Sequence, residues 1–224
     1  MRAAIGSLLG ASHDLFGLNR LRPQYWTVPR EWDGSTSFIV AGGPSVRDQN
    51  TEQLRGKRVI AINSSWRRVP FADVLFFGDK RWWDRYGTEV QENGFSGRIV
   101  TCAGEIAHPL VWNLRKEQPP GLMIDPACVW MRRTSLTAAI NLAFHFGAKR
   151  IVLLGADGGP ASDGTTHHHE SYPWDQTTNC WQNQRDDLAK LVKPLQAHGL
   201  EVLNASPGSS LDFWPIVHLN EIDQ

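Results

Sequence analysis

Three adjacent histidines, His167, His168 and His169, stand in a polar stretch that also carries Asp163 and Glu170. Imidazole titrates near neutral pH, so a neutral histidine there suits removal of a proton from a hydroxyl group. The same side chains with Asp157, Asp163 and Glu170 also make a nitrogen and oxygen set of the kind that binds divalent metals. A solvated polar loop is the third account. The run is internal and only three residues long, which does not suit an expression tag. A second group consists of small or hydrogen-bonding residues that each follow a short apolar run: Gly42, Gly43, Pro44 and Ser45; Asn63, Ser64 and Ser65; Gly78 and Asp79; Gly155 and Asp157. Glycines at 42 and 43 let the backbone approach a ligand closely. On that account Gly43→Val is expected to block a ligand and leave the fold intact. Pro44 suits the first turn of a helix, whose free N–H groups attract phosphate, and Ser45 adds a hydroxyl donor. Gly-Gly-Pro-Ser is neither a P-loop nor a dinucleotide fingerprint, and a tight strand-to-helix turn accounts for it as well. Arg132 and Arg133 precede Thr134 and Ser135, where they could hold a diphosphate bidentately or serve as surface charge. Trp82 and Trp83, beside Lys80, Arg81 and Arg85, could stack on a base or sugar, or pack inward at the start of an amphipathic helix.

These groups meet only if the intervening elements bring them to one place. Residues 37–41, 58–62, 73–77, 98–102, 150–154 and 201–203 are continuous apolar runs rather than alternating ones. That pattern predicts strands buried on both faces, as in a parallel sheet. Helices fit between them. Over 134–146, Leu136, Ala139, Ile140, Ala143 and Phe144 share one face, Thr134 or Ser135 caps the start and Gly147 stops the end. A second helix is predicted over 180–198, with Pro194 inside it, and a third between residues 80 and 93. Alternating strands and helices predict an α/β fold: a single Rossmann-like, doubly wound domain with a mostly parallel sheet over 37–224. Residues 1–36 are expected to form an irregular N-terminal arm with one short helix. In such sheets ligands bind beyond the carboxyl ends of the strands, which is where the residues of the second group fall.

The segments IVAGGPSV, AINSSW, LFFGD, RTSLTAAINLAFHFGAKRIVLLGAD and LEVLNASPGSSLDFWP occur in that order. Their succession resembles the family that joins motility-associated flagellin glycosyltransferases, archaeal 6-hydroxymethylpterin diphosphokinases and small bacterial sialyltransferases. It looks closest to a branch found in tailed phages and prophages. The resemblance spans residues 37–215 and implies a Rossmann-like fold with a nucleotide-binding cleft. For the sialyltransferases it implies a cytidine-linked sugar donor and metal-free group transfer with a histidine base. Gly43, Pro44 and Ser45 match the family's nucleotide loop, with Gly42 where the sialyltransferases have Asn. Asn63 matches the Asn after the second strand. Thr134 and Ser135 match a Thr-Ser pair opening the long helix, followed here by Leu136 in place of Gly. Asp157 matches the Asp ending the next strand, and one of His167, His168 and His169 takes the place of the base. The tyrosine pair that contacts the donor phosphate has no match.

The 224 residues suffice for a buried core, and 41% hydrophobic with 21% charged residues describes a globular chain. Lys+Arg and Asp+Glu are 23 each, so there is no basic excess for non-specific nucleic-acid binding. No run reaches the length of a membrane span, and residues 3–11 suit a surface helix better than a secretory signal. Cys102, Cys128 and Cys180 form no CxxC pair, which fits a reduced, cytoplasmic setting, that of a bacterial host if the chain is phage-encoded. Ten tryptophans supply both core and groove-lining surface. The expected function is nucleotide-dependent group transfer, first of all glycosyl transfer from a nucleotide-activated sugar. Its acceptor is open among glycan, protein, metabolite and modified DNA base, as is homo-oligomer formation. The alternatives are Mg-dependent diphosphate transfer to a small metabolite, with Asp79 or Asp157 at the metal, and a non-catalytic phage protein that binds a nucleotide or a host partner.

Overall fold

The computed structural model describes residues 25–104, 106–174 and 180–222. Five apolar runs become the parallel strands β1 (Thr36–Val40), β2 (Arg58–Ile62), β3 (Val74–Phe77), β4 (Arg98–Thr101) and β8 (Arg150–Leu154). Successive side chains leave a strand on opposite faces, so a strand apolar at every position feeds two cores. Ile39 and Ala41 enter one core, and Phe38 and Val40 enter the other. The short strands β5 (Val111–Asn113) and β9 (Glu201–Asn204) complete a seven-stranded sheet in the order β5-β4-β3-β2-β1-β8-β9. Every pairing in it is parallel. The chain therefore winds outward from β1 to β5 and returns to the other side of β1 at β8. The winding reverses between β1 and β8, and connections leaving such a point in opposite directions open a crevice at the carboxyl ends of the strands.

Helices cover both faces. On one lie α2 (Ser135–Phe146), whose residues are nearly all buried, and α3 (Trp181–Ala197), which contributes Leu188, Leu191 and Leu195. On the other lies α1 (Lys80–Glu92), with Trp82, Trp83 and Val90 packed inward. Local chemistry sets the helix ends. Asp79 caps α1 by accepting from the Arg81 N–H, and Thr134 caps α2 by accepting from the Leu136 N–H at 3.2 Å. Gly147 closes α2 at φ +95°, a left-handed conformation that costs glycine little.

Three features depart from expectation. The helix anticipated after β1 is a five-residue 3₁₀ turn, Pro44–Asp48, followed by a second one, Thr51–Leu54. Extended backbone at Gln49 and the Asn50 cap break the segment before an α-helix is established. The end of β1 thus carries no α-helical N-terminus to attract phosphate. Secondly, β5 and an additional parallel pair, β6 (Arg115–Glu117) with β7 (Cys128–Trp130), have no counterpart among the apolar runs. Each is three residues long, and the charged β6 faces solvent, so neither strand period nor hydrophobicity marks it. Thirdly, the described part of the N-terminal arm is irregular yet integral to the core. Trp32 stacks on Phe146 with ring centroids 4.0 Å apart, and Val28 and Trp32 are buried. The short helix expected near residues 3–11 lies outside the described residues. Among the described residues no helix is long and apolar enough to cross a membrane, and Cys102, Cys128 and Cys180 are free thiols.

Candidate functional site

The carboxyl ends of β1, β2, β3, β4 and β8 open onto one cleft of about 1050 Å³. Gly42, Gly43, Asn63, Asp79, Thr134, Ser135, Gly155, Asp157, His167 and His169 all line it, brought together from six segments of the chain. Pro44, Ser45, Ser64, Ser65 and His168 lie behind this surface. A smaller cavity of about 270 Å³ sits at the opposite, amino ends of β1 and β2, beside Thr36, Leu54 and Leu219. None of the candidate residues reaches it.

Asp157 turns toward the β1 end. Its carboxylate accepts from the Ser45 N–H at 3.3 Å and the Ser45 hydroxyl at 3.1 Å. Burial raises its pKa and the two Ser45 bonds oppose that rise. The glycines beside it make room for the protein's own groups. A Cβ on Gly43 would stand 1.8 Å from Asp157 Oδ2 and 2.4 Å from the Gly155 carbonyl. A Cβ on Gly42 would lie 3.3 Å from His167 Cδ2 and 3.4 Å from His169 Nε2. The expectation that Gly43→Val spares the fold is therefore corrected, because Gly43 holds the strand end against Asp157. Histidine rings likewise crowd the space beside Gly42 that a larger side chain would need.

The segment after Asp157 folds back over β1 and β2, and its three histidines part company there. The His168 N–H donates to the Gly42 carbonyl at 3.0 Å, and its Nε2 lies 2.9 Å from Ser65 Oγ. Ser65 already donates its hydroxyl hydrogen to the Ala41 carbonyl, so His168 Nε2 must be the donor. His168 thus pins the segment to the strand ends. Burial pushes its pKa down to about 3, helped by the charges of His169, Arg68 and His167. His167 faces the cleft with Nδ1 2.9 Å from the Thr166 hydroxyl, and burial followed by the charge of His169 pushes it down to about 4. His169 also faces the cleft. Its Nδ1 donates to the Glu170 carbonyl at 2.8 Å, which makes Nε2 the accepting nitrogen, and its partner at rest is the Tyr172 hydroxyl at 3.2 Å. Burial lowers its pKa too, so the ring is neutral at pH 7.

A stability consequence follows from His167 and His168. Both are neutral in the fold and take up protons near pH 6.5 once unfolded, so the unfolded state binds more protons in acid. Their stabilisation is complete above pH 6.5 and is lost as pH falls toward about 4 and 3. Asp157, with its raised pKa, works in the opposite sense. The melting temperature should decline between pH 6.5 and 4, and His168→Asn should flatten that decline. Identical profiles for the two proteins would contradict the buried neutral state.

Metal ligation finds no support in this geometry. Asp163 accepts from the Thr165 N–H at 2.8 Å and pairs with Arg47, while Asp157 is engaged by Ser45. Among the described residues no three His, Cys, Asp or Glu side chains converge as a metal-holding group. Asp79 is held by Arg81, and that hydrogen bond, aided by the Arg81 N–H and by the charges of Arg81 and Lys116, keeps its carboxyl below the usual range. Asp79 and Asp157, the alternatives for Mg, are thus each engaged by a protein partner, Arg81 and Ser45.

Sequence reasoning missed several cleft residues. Tyr172 and Trp174 stack with ring centroids 4.9 Å apart, and the Arg81 guanidinium lies 5.4 Å from the Trp174 ring. Both aromatics line the cleft, as do Lys116 from β6 and Trp181, Asn183 and Gln184 from α3. The one signal available was the aromatic pair three and five residues beyond His169. Trp83 stacks on Phe77 within the core, while Trp82 packs tilted against Phe77, borders the cleft and donates from Nε1 to Ser64 Oγ at 3.1 Å. Leu136 is buried at the cleft wall, so it narrows the opening beside Ser135.

The fold is similar to that of a sialyltransferase. The sialyltransferase CstII from Campylobacter jejuni, solved in complex with the substrate analogue cytidine-5'-monophosphate, superposes with a TM-score of 0.52. The match covers 82% of this chain and 85% of the sialyltransferase at 14% sequence identity. No family model matches the chain, and no curated protein matches its sequence. The likeness to the sialyltransferase is one of architecture, an α/β domain on a parallel sheet.

Proposed function

We propose that this chain is a nucleotide-dependent group transferase that moves a sugar from a nucleotide-activated donor to a hydroxyl acceptor. The observation that carries the proposal is Asn63. It is the one non-glycine residue among those described with positive φ, at +50°, and it stands at the end of β2 in the cleft. Its Oδ1 is buried without a hydrogen-bond partner. Buried polar atoms are nearly always satisfied, and strained backbone at a ligand crevice marks a position held for binding. A nucleotide's donor groups would complete Asn63. Architectural kinship with a sialyltransferase that binds cytidine-5'-monophosphate adds support for a nucleotide ligand.

The remaining candidates take roles around that point. Gly42, Gly43 and Gly155 shape the crevice floor, with Pro44 and Ser45 bracing it through Asp157. Ser64 sits behind Tyr172 and accepts from Trp82. Thr134 and Ser135 present the amino end of α2, whose partial positive charge attracts phosphate. His169 Nε2 would take the proton of the acceptor hydroxyl, with His167 beside it. Calorimetric titration with cytidine-5'-monophosphate tests the nucleotide step. The wild-type chain should bind, and Asn63→Gly, which keeps the positive φ at little cost, should bind about tenfold or more weakly. Equal affinity in the two proteins, or no binding by wild type to any nucleotide, would overturn the proposal.

A further inference from the structure

Five cationic side chains line the cleft, and three of them are already paired. Lys80 Nζ lies 2.6 Å from Asp84, and Arg81 lies 2.6 Å from Asp79. Arg133 lies 2.9 Å from Asp187, a carboxylate only 1% exposed that also receives Lys190. Among the described residues, Lys116 and Arg132 have neither a hydrogen bond nor an ion pair. These two are not scattered. The end of β3 touches the start of α2, since a Cβ on Gly78 would lie 2.2 Å from Met131 Sδ and 3.3 Å from Ser135 Oγ. Cys102 Sγ, just past β4, lies 3.7 Å from Met131 Sδ. Lys116 is near enough to act on the charge of both Asp79 and Cys102, and Arg132 follows Met131 directly. Both free cations therefore flank the place where β3 and β4 meet the amino end of α2, whose own dipole is positive there.

We propose that the activated donor carries a diphosphate, one phosphate at the amino end of α2 beside Thr134 and Ser135 and the other between Lys116 and Arg132. This rests on the nucleotide assignment above and extends it to the donor's class. A sugar linked through one phosphate brings one negative charge, and a diphosphate brings two. Cations left unpaired in a cleft are uncompensated until an anion joins them, and arginine suits a phosphate bidentately while lysine acts as a point charge. During transfer the bond between the sugar carbon and the diphosphate oxygen breaks, and its electron pair leaves with the nucleoside diphosphate. The acceptor oxygen bonds to that carbon, and its proton passes to His169 Nε2. Lys116 and Arg132 would then neutralise the charge gained by the leaving group, in the role that preorganised cations play in such reactions.

The test is titration of the full chain with matched pairs of ligands: the mono- and diphosphates of cytidine, uridine and guanosine, and inorganic pyrophosphate alone. At least one diphosphate should bind about tenfold or more tightly than its monophosphate, and pyrophosphate should bind detectably. In the double variant Lys116→Gln/Arg132→Gln that preference should vanish while monophosphate affinity stays unchanged. Both side chains are solvent-exposed, so the variant should melt as wild type does. Monophosphate binding with no diphosphate preference would overturn this inference and leave the nucleotide assignment standing. So would a preference that survives the double substitution. Failure of every nucleotide to bind would instead remove the underlying assignment.

Discussion

Replacing His169 by alanine should lower turnover about 10²–10⁴-fold while leaving nucleotide affinity nearly unchanged, as loss of a general base does. The expectation rests on hydrogen-bond direction. Glu170 takes the Nδ1 hydrogen of His169, so Nε2 is the accepting nitrogen at the cleft wall, where an acceptor hydroxyl would take the place of the Tyr172 hydroxyl. Because burial lowers the pKa of this ring, the acid limb of kcat/KM should lie below that of an ordinary imidazole. His168→Ala should behave differently. That ring pins the segment to Ser65 and Gly42, so its loss should lower the melting temperature and reduce turnover through disorder of the neighbouring histidines. Single-turnover assays on the two variants, with thermal melts beside them, separate base from brace. Full activity in His169→Ala would move the base to His167.

Gly43→Ala should destabilise the whole domain. A single methyl group meets Asp157 Oδ2 and the Gly155 carbonyl well inside contact distance, and one of these is backbone. Overpacking of this kind costs typically about 1–3 kcal/mol, occasionally more, and the larger side chain of Gly43→Val should exceed it. The Gly155 carbonyl is tied to the same place, since it accepts from the Gly43 N–H at 3.0 Å, so relief of the clash would disturb that hydrogen bond. Denaturant unfolding of the variant against wild type measures the loss. A variant with wild-type stability and no nucleotide binding would restore Gly43 to a purely ligand-facing role.

The sheet was legible because burial on both faces leaves an unmistakable mark. Continuous runs such as Ile151 to Leu154 can only belong to a strand covered on each side, and five of them align side by side. Helix α2 was equally legible from its apolar face, its Thr134 cap and Gly147. The three-residue strands were not, because β6 is charged and exposed and owes its conformation to its partner β7. At the site, the carboxyl-end rule gathered Gly42, Asn63, Asp79 and Asp157 from sequence alone, and the helix start with the family resemblance added Ser135. It could not separate His167, His168 and His169, whose roles depend on which ring nitrogen meets Ser65, Thr166 or Glu170. Nor could it show that Gly42 and Gly43 accommodate the chain's own histidine and aspartate side chains, since contacts over a hundred residues of separation leave no local pattern.

The most direct test of the account is a crystal structure of the chain with a bound nucleotide. The nucleotide should lie at the carboxyl ends of β1 and β2, with a donor group within hydrogen-bond distance of Asn63 Oδ1 and a phosphate facing the amino end of α2. A nucleotide seated instead in the cavity at the amino ends of β1 and β2, against Thr36, Leu54 and Leu219, would contradict it.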